Sequence, residues 1–198
     1  TNHALKYAKR TGTTWNTETI DASGFVGQSS QISLGPDGSP QIAYWDQSNF
    51  VFKVAKRQSG VWQMICGNPA AADVSIAVDI NGNAHIAYKD PINGLKYAYW
   101  NGTAWVAETV ETGNVGWSCS IALDAAGMPH IAYYDAANHA LRYAKRNLGV
   151  WAAESVDASG NAGQNLSLAL DTSGNPHITY YNAALDALKY TSKNGSWT

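Results

Sequence analysis

Cysteine is almost absent from this chain of 198 residues: Cys66 and Cys119 are its only two, too few for a disulfide framework. Charge is scarce as well. Lys, Arg, Asp and Glu make up 14% of the residues, against about 25% in an average soluble domain. The net charge of −2 supplies no basic surface of the kind that holds a nucleic-acid backbone or an anionic membrane. No apolar run approaches the ~18 residues that a membrane-spanning helix requires, so membrane insertion is not expected. Phosphate-cradling glycine loops, nucleophile elbows and paired Cys or His zinc spacings are missing. Only four glutamates occur, Glu18, Glu108, Glu111 and Glu154, which leaves little from which to build a two-carboxylate glycosidase. The chain opens at Thr1 without a signal-like segment, as a processed form, an internal fragment or a partial chain would.

What the chain does have is aromatic residues and repetition. Eight Trp and 11 Tyr in so weakly charged a sequence point to rigid sheets with polar, uncharged surfaces. The stretch PHIAYYDAANHALRYAKR (129–146) returns as PHITYYNAALDALKYTSK (176–193), and weaker copies occupy 40–57 and 84–100. Trp15, Trp62, Trp105, Trp151 and Trp197, each following a glycine turn, mark the period. The basic residues Lys6, Lys53, Lys96, Arg142 and Lys189 mark the same one. Both rulers give four repeats plus a remnant, with about 46 residues per unit. The units fall near 1–28 (partial), 29–73, 74–116, 117–163 and 164–198, read as a single domain or a segment of one.

Each unit holds four short strand-like runs separated by turn signals. In one unit these are SIALD, HIAYYD, ALRYAKR and VWAAESV, divided by DAAGMP, AANH and NLG. No window carries apolar residues at helical spacing. The fold class is therefore all-β, a β-propeller of four-stranded antiparallel blades, with strands A to D running outward from the axis. Strand A alternates small or polar residues (Gln31, Ser75, Ser120, Ser167; Ser33, Ala77, Ala122, Ala169) with Ile or Leu. Period-2 alternation sends the small set toward a crowded axis and the aliphatics toward the neighbouring blade. A glycine recurs in every A–B turn (Gly38, Gly82, Gly127, Gly174), as a hairpin position with positive φ demands. In this register Cys66 lies on an outermost strand and Cys119 on an innermost one two units later, so no bond between them is expected.

The PHIAYYD…LKYA…W pattern resembles the extracellular β-propeller repeat proteins of bacteria and archaea. The resemblance covers the whole chain and implies a secreted or cell-surface location rather than one activity. SKNGSW and KRTGTTW are distantly similar to the Asp-box turn of sialidase-like propellers. They keep the Gly and Trp but lack the Ser-x-Asp, which argues against sialidase chemistry. A further likeness is to fucose-binding propeller lectins, which set Arg, Glu and an aromatic between blades. Here a basic residue and a glutamate stand twelve apart in Lys6/Glu18, Lys96/Glu108 and Arg142/Glu154, while Lys53 faces Ile65. The plainer expectation for these pairs is a cross-strand ion pair between strands C and D.

The ends of the repeat pose a separate question. The chain begins in strand C, at 4–10, so its first unit lacks strands A and B. Residues 166–182 could supply them by closing the ring, but 187–198 would then duplicate strand C and leave it exposed. Three expectations follow: a piece of a longer propeller, strand exchange between chains, or a four-bladed ring with a loose tail.

Candidate chemistry is thin. His85, His130 and His177 recur one per unit, too spread to share a metal, and are read as structural. The turns Asp46-x-x-Asn49, Asp90-x-x-Asn93 and Asp135-x-x-Asn138 fit side chains bonding their own backbone, and one carboxylate per loop falls short of a calcium cage. No metal, cofactor or catalytic residue is assigned. Length differences between units fall in the D–A and B–C connections, which open on one face of a propeller, and binding usually resides in such loops. On or beside that face stand Trp45, Trp117, Tyr134 and Tyr181, with Asp46, Asp90 and Asp135. These seven are the candidate ligand-binding residues. The sequence reads as a non-catalytic, extracellular propeller that binds carbohydrate or another surface polymer there. The alternatives are a structural subunit that self-associates through its terminal strands and, third, a sialidase-like glycosidase.

Overall fold

The computed structural model describes residues 3–70 and 72–198, and every regular element among them is a β-strand. The first sheet holds β1 (Leu5–Thr11) and β2 (Thr14–Asp21). The second is β3 (Val26–Leu34), β4 (Pro40–Asp46), β5 (Val51–Gln58) and β6 (Val61–Pro69). The third is β7 (Ala72–Val78), β8 (Ala84–Asp90), β9 (Gly94–Trp100) and β10 (Trp105–Glu111). The fourth is β11 (Val115–Leu123), β12 (Pro129–Asp135), β13 (Ala140–Asn147) and β14 (Val150–Asp157). The fifth is β15 (Ala162–Leu170), β16 (Pro176–Asn182), β17 (Ala187–Asn194) and the short β18 (Ser196–Trp197). Within each sheet the strands follow chain order and pair antiparallel. The expected four-strand unit is thus full in three sheets, curtailed at β18 and reduced to two strands in the first.

Turn chemistry explains the meander. The A–B glycines Gly38, Gly82, Gly127 and Gly174 adopt φ of 75°, 78°, 76° and 80°, as the sequence requires of them. In the C–D turns Ser59-Gly60 and Leu148-Gly149 both residues have positive φ, the signature of a tight I′ hairpin. Each B–C turn ends on a left-handed residue, Phe50, Gly94, His139 or Asp186. A Gly-like bulge also recurs inside strand A. Ser29, Asp73, Ser118 and Asn165 take φ of 49°, 43°, 47° and 47°, where the register against strand B slips.

Adjacent sheets pack face to face, β3 against β7, β7 against β11 and β11 against β15. The strand-A aliphatics Ile76, Ile121 and Leu168 are buried against the preceding sheet, beside Phe52 and Val54, Leu95 and Tyr97, and Leu141 and Tyr143 respectively. Burying each aliphatic contributes roughly 1.5–3 kcal/mol. The small residues of strand A link neighbours: Ser75 Oγ donates to Gln31 Oε1 (2.7 Å) and accepts from the Ile121 amide (3.1 Å), and Ser120 Oγ accepts from the Leu168 amide (3.1 Å).

The same rule shows that both ends are open. Ile32, the counterpart of Ile76, is 54% exposed, and Leu188 and Tyr190 are 81% and 58% exposed, whereas their counterparts Leu141 and Tyr143 are at 0% and 5%. The four-bladed closure with 166–182 completing the first unit does not form. β16 pairs with its own β17, and β1 keeps only β2 in its sheet. Cys66 is exposed, Cys119 is buried, and both are free thiols.

Candidate functional site

The twelve-apart basic–acidic pairs are not pairs. Arg142 stands opposite Ser155, and it is Tyr143 that stands opposite Glu154, so the pleat sends Arg142 and Glu154 to opposite faces. Each acid instead reaches the following sheet. Glu18 pairs with Arg57, Glu108 with Arg146 and Glu154 with Lys193. The Glu108 pair is bidentate at 2.9 and 2.8 Å, and Trp151 Nε1 donates to the same carboxylate at 3.0 Å. Where the acid is Ile65, the place of the cation is taken by Trp100, so both charges are lost together.

A second set of bridges runs nearer the axis. The strand-B tyrosine bonds the residue at the end of the preceding strand D: Tyr44 donates to Asp21, Tyr133 to Glu111 and Tyr180 to Asp157, while Tyr88 accepts from the Asn68 side-chain amide. Lys53, Arg142 and Lys189 pair with the three acids of this set. Burial works against the charged form of Asp21, but hydrogen bonds from Ser23, Tyr44 and Lys53 prevail and bring its carboxyl down to about 2. All four glutamates are therefore tied up in inter-sheet ion pairs, and the two carboxylates that share a cavity, Asp79 and Asp124, are engaged by their own turn amides and by His85 and His130.

The histidines form relays, not ligand sets. His85 and His130 hold a tyrosine hydroxyl on Nδ1 (Tyr97 at 2.6 Å, Tyr143 at 2.5 Å) and an aspartate on Nε2 (Asp79 at 3.5 Å, Asp124 at 3.4 Å). Burial pushes both imidazoles below their ordinary pKa, and Lys145 adds to the effect at His130. Among the described residues no group of three potential metal ligands assembles. Gln41 replaces His in the remaining unit and donates to the Gly82 carbonyl at 2.9 Å.

The seven loop-face candidates divide sharply. Asp46, Asp90 and Asp135 are buried, and their carboxylates accept turn hydrogen bonds, including the Asn49, Asn93 and Asn138 amides. Asp46 also pairs with Lys53 at 2.6 Å. These acids build the loops, their accepted hydrogen bonds coming from the turns themselves. Trp45 donates from Nε1 to the Ala70 carbonyl (3.2 Å), and Tyr181 donates to Asp186 (2.7 Å). Trp117 and Tyr134 do converge. They line a pocket of about 440 Å³ with Asn114, Gln164, Asn165 and Asp73. The indole is partly exposed and is steadied by a hydrogen bond from Nε1 to Asn114 Oδ1 (2.9 Å). Tyr134 is fixed by Asn161 and by His139 (3.0 Å). Lys89, itself buried, places its ammonium 5.6 Å from the Trp117 ring centroid. A wider cleft of about 560 Å³ opens on the opposite face, between the fourth and fifth sheets, lined by Tyr143, Lys145, Glu154, Asn175 and Lys193. Sequence reasoning missed Asp73 and this cleft.

No protein-family model and no curated protein matches the chain. Solved structures do. SapL1 lectin in complex with alpha methyl fucoside is similar at a TM-score of 0.74 and 13% identity, over all of this chain and 71% of that one. An Aleuria aurantia lectin mutant in complex with Fucalpha1-6GlcNAc is similar at 0.66 and 16% identity, over all of this chain and 70% of that one. The Aleuria aurantia lectin described as a six-bladed beta-propeller gives 0.64 and 16% identity, over 69% of its length. At such identity the likeness speaks to the fold alone: an all-β chain whose sheets are arranged as in a β-propeller. Among the described residues no helix is long and apolar enough to cross a membrane.

Proposed function

We propose that this protein is a non-catalytic carbohydrate-binding propeller, secreted or displayed at a cell surface, with its sugar site in the Trp117–Tyr134 pocket on the D–A/B–C loop face. The observation that carries this reading is a partly exposed indole fixed by Asn114 and surrounded by Gln164, Asn165 and Tyr134. An indole face stacks on the C–H surface of a sugar ring, while amide and phenol groups exchange hydrogen bonds with its hydroxyls. The fold it shares with fucose-complexed lectins supports the same class of ligand. Engagement of every glutamate in an inter-blade ion pair supports binding without hydrolysis.

A glycan-array screen followed by calorimetry tests the reading. Trp117→Ala should weaken the best glycan at least tenfold, and Glu154→Gln, in the opposite cleft, should leave it unchanged. Loss of binding in Glu154→Gln alone would move the site to the inter-blade cleft. Retention of no glycan at all would end the carbohydrate reading.

The second reading, a structural subunit that assembles with copies of itself, draws on Leu188, Tyr190 and Ile32. Each is exposed where its counterparts in the interior of the arc are buried. A blade-like face of this kind accepts the inner strand of another sheet.

A further inference from the structure

We infer that Asp73 makes the Trp117 pocket selective for a glycan bearing a free primary ammonium, such as an unacetylated amino sugar. The inference rests on the carbohydrate reading above and names the ligand class.

Asp73 stands out first among its equivalents. The strand-A bulge is occupied by Ser29, Asp73, Ser118 and Asn165, three neutral residues and one acid. The left-handed backbone there suits Asp and Asn better than most side chains, so the bulge itself does not call for a charge. Asp73 also lies where two cavities meet. It lines the 440 Å³ Trp117 pocket, and it lines a second pocket of about 210 Å³ at the axis, formed with Ser29, Gln31, Ser118 and Asn165.

The lining of both cavities is otherwise uncharged: Ser, Asn, Gln, Trp, Tyr, Ala, Val, Leu and Cys. Among the described residues no Lys, Arg or His lies within ion-pair distance of the Asp73 carboxylate. Lys89 is the nearest cation to the indole, but it is buried and donates to the Asp90 carbonyl (2.8 Å). Its ammonium lies 5.6 Å from the ring centroid. Burial raises the Asp73 carboxyl above its ordinary pKa, partly offset by a backbone hydrogen bond from Ser118. A carboxylate short of a cation in a partly dehydrated pocket gains most from a charged donor, since charge-assisted hydrogen bonds are roughly twice as strong as neutral ones. A hydroxyl could donate to it too, but only an ammonium restores the missing charge.

Calorimetry with a β-1,4-linked glucosamine tetramer and its fully N-acetylated counterpart, at a pH where the amine is charged, tests this directly. The wild type should bind the amino form at least tenfold more tightly. Asp73→Asn keeps the shape and tolerates the left-handed backbone, and should erase the preference while leaving the N-acetylated affinity intact. Asp73→Ser, which copies Ser29 and Ser118, should do the same. Equal affinity for the two oligomers, or a preference that survives both variants, overturns the assignment to Asp73. In either case the carbohydrate reading stands so long as Trp117→Ala weakens what is bound. Failure of both oligomers and of the whole array sinks the two proposals together.

Discussion

A single methyl group added at Gly163 should be among the most damaging substitutions in the molecule. Gly163 has φ of 107°, and a Cβ there would sit 2.9 Å from the Cα and 3.1 Å from the Cβ of Leu141 in the preceding sheet. The atoms it would meet belong to backbone and a fully buried side chain, so neither can swing aside. Two costs add. A left-handed backbone costs a non-glycine residue about 1–2 kcal/mol, and forcing an extra carbon into a packed contact costs about 1–3 kcal/mol. Gly163→Ala is therefore expected to lose roughly 2–5 kcal/mol. Gly127 supplies the control: its φ is 76°, and nothing lies within 4 Å of its added Cβ, so Gly127→Ala should lose only the backbone part. Urea denaturation of the two variants beside the wild type reads the difference as a shift in midpoint. If Gly163→Ala unfolds no earlier than Gly127→Ala, the close approach of strand A to the neighbouring strand C is wrong, and the inter-sheet packing with it.

Stability should also fall on mild acidification. His85 and His130 have folded pKa values below their unfolded value near 6.5, so the unfolded chain takes up protons first. Their neutral-state stability is full above about pH 6.5 and declines as pH drops toward the folded values. The double variant His85→Gln, His130→Gln, which copies the natural Gln41, should flatten the melting-temperature profile across that window. An unchanged slope would show that the relays do not control it. For assembly, light scattering over a wide concentration range should show self-association of the wild type. Leu188→Lys should abolish it, and a wild type that stays monomeric throughout would remove the structural reading.

Much of the fold was legible because its signals are local. Period-2 alternation, glycine in each A–B turn and tryptophan after each C–D turn all act within a few residues, and the strands form where those signals place them. The Asp-x-x-Asn turns were readable for the same reason, since Asp46, Asp90 and Asp135 bond amides three residues on. What was misread crosses between blades. Residues twelve apart on a hairpin are near in space, so Arg142 and Glu154 seemed natural partners. The tight turn that pairs Asn147 with Val150 fixes the register and sets Tyr143 opposite Glu154 instead, and the bulge between Leu141 and Arg142 shifts only Leu141, to stand opposite Asp157.

A subtler signal did carry the true pairing. Glu18, Glu108 and Glu154 each precede a basic residue on the next strand C, namely Arg57, Arg146 and Lys193. The one unit that replaces the acid, with Ile65, also replaces that cation, with Trp100. A buried or half-buried charge left without its partner is costly, so the two positions change together. Within the hairpin no such agreement exists, for Lys53 keeps its charge opposite Ile65's side of the strand by pairing with Asp46 and Asp21. Asp73 stands outside this ion-pair logic, as the turn acids Asp90 and Asp135 also do. Its carboxylate has no matching cation among the described residues, and the unit that carries it has the shortest connection into strand A, which hid its register in the sequence. Asp90 and Asp135 give their carboxylates to turn amides, whereas Asp73, with one backbone hydrogen bond from Ser118 against its burial, lines two cavities and is the position from which ligand recognition is best sought.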